Sequence, residues 1–185
     1  LMTDEEAIGA GYTVRTNLAT SSSRRYYKTI PDASKMSQNI YMLTDASNVE
    51  WVRNGDIWLY LESHTYSGSI NTANNKNIRI HGNFDSGAAT RGTADISKLT
   101  MDAKKTLYVS KNADVIVADG SAGALSVDGS STLTVNGGSY AGSLSVKAGG
   151  KLVINGGYFT VDPSEYIGEN MAVLPGSYIL NGVTY

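Results

Sequence analysis

Trp58, Tyr60, Arg79, His81 and Asp102 are the side chains of this sequence whose types and spacing point to chemistry. They lie in or directly after small apolar triplets. Ile57 and Leu59 flank Trp58, Ile78 and Ile80 flank Arg79, and Leu99 and Met101 flank Thr100, at intervals of 21 residues. With the apolar members turned inward, period-2 alternation turns their neighbours outward. Trp58, Arg79 and Thr100 then form one outward ladder, and Tyr60, His81 and Asp102 the next. A flat face bearing Trp, Tyr, Arg and an acid suits carbohydrate: rings stack on pyranose faces while charges take hydroxyls. Two plainer readings stand beside it. The guanidinium could lie on Trp58 only to cover it, a contact worth ~0.5–1 kcal/mol when exposed, or residues 1–38 could fold back over the face.

Acid–base chemistry would have to come from Asp85, Asp95, Asp102, Arg79, Arg91 and the pair Lys104 and Lys105. Residues 83–98 read as the longest corner and hold Asp85, Arg91 and Asp95, which makes Asp85 and Arg91 candidate ligand contacts. No two acids recur at the repeat spacing on one outward face, so solvated surface charge is the expected role and no catalytic residue is assigned. A phosphate loop, a nucleophile elbow and a His-Glu-x-x-His pair are all missing. The Asn-Gly-Gly motifs lack the Asp of calcium-binding glycine repeats, and the absence of cysteine removes thiolate sites. No metal and no cofactor is expected. A net charge of −2 gives no footprint for nucleic acid, and no apolar run approaches the roughly 18 residues of a membrane span.

What must position such a face is visible in a repeat. Residues 132–140 and 151–159 are near copies, with Leu133 matching Leu152, Asn136 matching Asn155, and Leu125 and Val127 recurring as Leu144 and Val146. Apolar–variable–apolar triplets continue upstream through Val115 and Val117 to Leu99, Ile78 and Ile57, with a second interleaved series through Leu107 and Val109. Two or three short strands per 16 to 21 residues is the arithmetic of a parallel β-helix. The expected fold is all-β: a single-stranded parallel β-helix of about six coils over residues 39–160, a rod of ~25–35 Å at ~4.8 Å per layer. An asparagine stack of Asn136 on Asn155 at a buried bend, with His81 in the related corner, is part of that register.

The ends carry a second repeat. Residues 162–173 match residues 3–14 at a constant offset of 159, with Glu6, Ile8, Gly9 and Val14 identical to Glu165, Ile167, Gly168 and Val173. A chance match of small residues competes with the reading preferred here. On that reading, residues 1–38 are the tail of a preceding module or an N-terminal hairpin cap, and residues 161–185 are a C-terminal terminator and hairpin.

Residues 152–167, with their Asn-Gly-Gly-Tyr-Phe coil and following Asp-Pro-Ser-Glu-Tyr-Ile, resemble the module ending of large repetitive surface proteins of anaerobic bacteria. Residues 39–45 and 77–82 are similar to the first coils of those modules, which belong to the pectate-lyase-like β-helix superfamily. The middle coils also resemble autotransporter passenger domains. The resemblance implies a right-handed solenoid, export, a secreted or cell-surface location and an adhesive or display role. Its implied partners are host or bacterial glycans and neighbouring modules of the same chain. The main alternative is a polysaccharide lyase or glycoside hydrolase on the same fold; the second is a purely structural stalk.

Overall fold

The computed structural model describes residues 2–17, 22–72, 75–85 and 89–185. The chain forms a β-solenoid of about six turns. Before the solenoid come α1 (Asp4–Gly9), β1 (Val14–Thr16), β2 (Arg25–Tyr27) and α2 (Ile30–Met36). Coils one to three each have two strands: β3 (Asn39–Met42) with β4 (Ala46–Val52), β5 (Ile57–Tyr60) with β6 (Thr65–Thr72), and β7 (Ile78–His81) with β8 (Gly92–Met101). Coils four to six each have three. These are β9 (Leu107–Ser110), β10 (Ala113–Val117) and β11 (Gly120–Ala122); β12 (Leu125–Val127), β13 (Thr132–Val135) and β14 (Ser139–Tyr140); and β15 (Leu144–Val146), β16 (Lys151–Ile154) and β17 (Tyr158–Phe159). A short 3₁₀ turn, Ser164–Tyr166, and a hairpin of β18 (Ile179–Leu180) and β19 (Val183–Thr184) come last.

The first strand of every coil joins one parallel sheet, in the order β3, β5, β7, β9, β12, β15. The remaining solenoid strands form the second sheet. There the long β8 is a branch point: β10 pairs with its first half and β11 with its second, while β6 lies along its other side. The inward columns are aliphatic, Ile57, Ile78, Leu107, Leu125 and Leu59, Ile80, Val109, Val127, none more than 1% exposed, and they join residues of two series that the sequence reading kept apart. Each such side chain contributes roughly 1.5–3 kcal/mol on burial. Tyr66 and Tyr140 also lie wholly inside, and each hydroxyl donates to a nearby carbonyl, on Ser69 and Gly137 respectively. That satisfies a polar atom that burial would otherwise leave stranded.

The glycine motifs have a specific cause. Gly120, Gly138 and Gly157 occupy successive corners with φ of +137°, +105° and +114°. A Cβ on Gly120 would lie 1.9 Å from the Leu99 carbonyl oxygen, one on Gly138 2.6 Å from that of Gly120, and one on Gly157 2.8 Å from that of Gly138. Backbone therefore rests on backbone down this edge, and only glycine fits. Beside it Asn155 Nδ2 donates to Asn136 Oδ1 at 3.0 Å. Both asparagines are exposed, so the amide pair decorates an outer corner rather than filling a buried bend.

Three expectations need correction. Leu99 and Met101 do not continue the column of Ile57 and Ile78. They lie in the second sheet, where Ile70 pairs with Leu99 and Thr72 with Met101, and the strand below β7 is β9. His81 sits in the first sheet beside Tyr60 and Ser110, remote from the asparagine corner in strand order. Residues 92–98 belong to β8 rather than to a corner, so the loop is shorter than the sequence suggested.

The two ends differ. At the start, β1 lies antiparallel against β3, and α2 covers the open core, with Trp51 Nε1 donating to Ser34 Oγ at 2.8 Å and Arg53 donating to the Ser34 carbonyl. At the other end β15 has no strand below it among the described residues, and β16 takes only a single bridge, Ile154 to Ile167. We predict that Gly138→Ala destabilises the fold by at least about 2 kcal/mol, seen in calorimetry as a Tm loss of roughly 4–8 °C. Gly176→Ala, with no atom within 4 Å of the added methyl, should leave Tm unchanged. Equal Tm values for the two variants would refute the glycine column.

Candidate functional site

The outward face of the first sheet gathers Tyr41, Trp58, Tyr60, Arg79, His81 and Tyr108. One ladder runs Asn39, Trp58, Arg79, Tyr108, Ser126 and Ser145 through successive coils. Strands in register at ~4.8 Å bring like positions into stacking distance without further design. The Arg79 guanidinium carbon lies 4.6 Å from the Trp58 ring centroid and 4.7 Å from that of Tyr108. The cation is thus held between two rings, all three residues half-exposed. No carboxylate among the described residues forms an ion pair with Arg79.

The parallel ladder runs Arg15, Tyr41, Tyr60, His81 and Ser110. Arg15 reaches over Tyr41 at 4.3 Å, and Tyr41 stacks on Tyr60 at 4.4 Å with 7° between the ring planes. Tyr60 meets His81 edge-on at 5.3 Å. This ladder is covered. Phe84 tilts over both tyrosines, its amide donating to Glu62 Oε1 at 2.6 Å and its carbonyl accepting from Lys111 Nζ at 3.2 Å. Tyr41, Tyr60, His81 and Arg15 are all buried, and Arg15 is compensated by Asp4 at 3.2 Å. The covering of the face comes chiefly from Phe84; of residues 1–38, Arg15 lies over its first tyrosine.

Burial sets the protonation states. Desolvation, helped by the neighbouring Tyr41, pushes the Tyr60 phenol up to about 12. Desolvation first, then Lys111 and Arg79, pushes His81 down to about 4. Its Nδ1 is buried with no hydrogen-bond partner among the described residues, consistent with a neutral ring. Neither group exchanges a proton near neutral pH.

The remaining sequence candidates scatter. Asp102 closes a turn by accepting from the Lys104 amide at 2.8 Å and lies outside both ladders, because the strand before it belongs to the second sheet. Arg91 is engaged by Asp114 through two bonds of 2.8 and 2.7 Å. Asp85 is exposed next to Phe84. Asp95 faces outward on the second sheet, in a shallow groove of about 500 Å³ shared with Asn48, Glu50, Ser67, Ser69 and Ser97. Of the two placements that the sequence left for His81, the ladder or the asparagine corner, the structure has the ladder. Sequence reasoning brought Trp58, Tyr60 and Arg79 together, as the structure does. It missed Tyr41, Tyr108, Arg15 and Phe84. The signal was present for Tyr108, the central residue of an apolar triplet, but the chain between it and Arg79 is longer than the interval from Trp58 to Arg79.

With this geometry in hand, the class of the chain is a β-solenoid with an aromatic–cationic strip along one sheet. No protein-family model, curated protein or solved structure matches it.

The His81 environment has a pH consequence. Its folded pKa lies below the unfolded value, so the stability it contributes is complete above about 6.5 and is lost as pH falls toward 4. The loss amounts to roughly 2–3 kcal/mol. Urea unfolding at pH 7.5 and 4.5 should show this difference, and His81→Leu should shrink it by that amount. A variant with the same pH dependence as the parent would disprove the assignment.

Proposed function

We propose that this solenoid is a non-catalytic adhesion or display unit of an exported bacterial cell-surface protein, and that it contacts glycan through Trp58, Arg79 and Tyr108. The observation that carries the reading is the half-exposed cation held between two rings with no carboxylate partner among the described residues. With both planar faces of the guanidinium covered, its in-plane N–H donors are what remain for a ligand. Those donors fit a carboxylate or sulfate bidentately, while the ring edges offer contacts to the sugar itself. Lys111 adds a second positive charge beside Phe84. The favoured ligand class is therefore an acidic glycan. The other proposed partner is a neighbouring unit of the same chain.

Support for export and display comes from the resemblance of residues 152–167 to surface-module endings within the pectate-lyase-like superfamily. Among the described residues no helix is long and apolar enough to cross a membrane. The protonation of Tyr60 and His81 favours binding over acid–base work on this face. The enzymatic alternative has one observation in its favour: the groove on the second sheet places Glu50 and Asp95 two strand layers apart. That is roughly 10–12 Å between backbones, near the carboxylate spacing of inverting glycosidases.

A glycan array carrying neutral, uronate, sialylated and sulfated glycans tests the reading. Binding should concentrate on the acidic members. Trp58→Ala and Arg79→Gln should each weaken it at least tenfold, with circular dichroism and Tm within 2–3 °C of the parent (roughly 1 kcal/mol). No binding by the parent, or binding indifferent to both substitutions, would reject the proposed face. Turnover of a uronan that Glu50→Gln or Asp95→Asn abolishes would favour the enzyme.

A further inference from the structure

The two ends of the chain share a sequence pattern, and among the described residues only the first is joined to the solenoid by a paired strand. The sequence match at an offset of 159 is accompanied by a helical turn and a left-handed residue at corresponding places. Thr3 caps α1 by accepting from the Glu6 amide at 3.1 Å, and its counterpart Asp162 accepts from the Ser164 amide at 3.0 Å. Helical backbone comes next in both copies, as the α-helix Asp4–Gly9 in the first and as the single 3₁₀ turn Ser164–Tyr166, which has no side-chain cap of its own, in the second. Gly11 and its counterpart Asn170 then both take left-handed backbone, with φ of +84° and +63°. A hairpin ends each copy, in a different register: Tyr26 pairs with Arg15 of β1, whereas its counterpart Tyr185 exchanges hydrogen bonds with Tyr178, and residues 173–175, the counterpart of β1, stay outside the hairpin of β18 and β19.

Beyond the turn the two copies differ in their surroundings. Val14, Arg15 and Thr16 are buried at 0, 7 and 3% exposure, because β1 is paired to β3 of the solenoid. Their counterparts Val173, Leu174 and Pro175 are paired to no strand among the described residues, and Leu174 is 91% exposed. An apolar residue sits bare where its equivalent is covered by the first strand of a solenoid.

We propose that residues 162–185 cap the first coil of a second solenoid of this kind, as residues 3–27 cap β3. The occupant of the bare segment 173–175 is β3 of a second copy. Val173 lies against its Met42, as Val14 does here, and Leu174 lies over its Tyr41 in place of Arg15. Pro175 falls at the end of the strand, where its missing N–H is tolerated. In an isolated chain β3 is already covered by β1, so the cap fits a solenoid that receives its cover from the unit before it. The inference deepens the neighbouring-unit part of the proposed function and is independent of any glycan.

The test is a chain in which residues 1–185 run directly into residues 27–185 of a second copy, so that Tyr185 replaces Tyr26. The protein has no cysteine, which makes an engineered pair unambiguous. Leu43 N donates to the Thr13 carbonyl at 2.9 Å, so positions 14 and 42 form a non-hydrogen-bonded pair with Cα atoms about 4.5 Å apart, within disulfide reach. Val14→Cys with Met42→Cys in the single chain is the positive control. Val173→Cys with Met42→Cys of the second unit should cross-link to the same extent, and the amides of residues 173 and 174 should exchange at least tenfold more slowly than in the single chain. No cross-link while the control forms one, unchanged exchange, or a second unit that stays unfolded beside a folded first would each overturn the proposal. Acidic-glycan binding by the single chain is unaffected by any of these outcomes, so the two readings fail separately.

Discussion

The spacing between hydrogen-bonded strands, about 4.8 Å, is the constraint on which the rest of this molecule depends. Stacking coils in register puts equivalent side chains on top of one another, and that distance is close to the contact distance of aromatic rings. Tyr41 on Tyr60 at 4.4 Å and Arg79 at 4.6 and 4.7 Å from its two rings are the same spacing read through side chains. The glycine corners serve this spacing. If a Cβ at Gly120 or Gly138 pushed two layers apart, the hydrogen bonds between coils and the ring contacts would lengthen together. The ring contacts of the proposed binding face and the stability of the stack therefore share one geometric cause.

The lower three coils were legible because nothing interrupts them. Leu125 to Leu144 and Leu133 to Leu152 are separated by the same length of chain, and the structure pairs each of them directly. The upper coils misled for an equally physical reason. The connection from β7 to β8 runs over residues 82–91 while that from β5 to β6 runs over 61–64, so the coil from Arg79 to Tyr108 is longer than the one from Trp58 to Arg79. The apolar triplet one regular interval past Arg79, at Leu99, falls by coincidence in the other sheet. A period in sequence gives distance along the chain and does not say which face of the coil that distance reaches. Asp102 was placed on the aromatic face through that error, and Tyr108 was left off it.

Phe84 illustrates what pattern reading does not reach. It lies outside any strand, and its role as a cover depends on Glu62 and Lys111, drawn from two other coils, gripping its backbone. Nothing in the local sequence announces that arrangement. The result is a face with two unequal halves: a sealed ladder of Tyr41, Tyr60 and His81, and an accessible ladder of Trp58, Arg79 and Tyr108. The sealed half supplies rigidity to the strands that carry the accessible half.

That division bears on what the face can do. A group that moves protons in a reaction needs a pKa near the working pH, yet burial drives Tyr60 upward and His81 downward, away from neutrality on both sides. Binding makes the opposite demand. It rewards groups whose position is fixed before the ligand arrives, since less freedom is lost on association. A guanidinium clamped between two rings has already given up its rotamers, and no carboxylate among the described residues answers its N–H edge. The sealed ladder of Tyr60 and His81 and the clamped Arg79 of the accessible ladder thus both support the binding role proposed for this face over acid–base work.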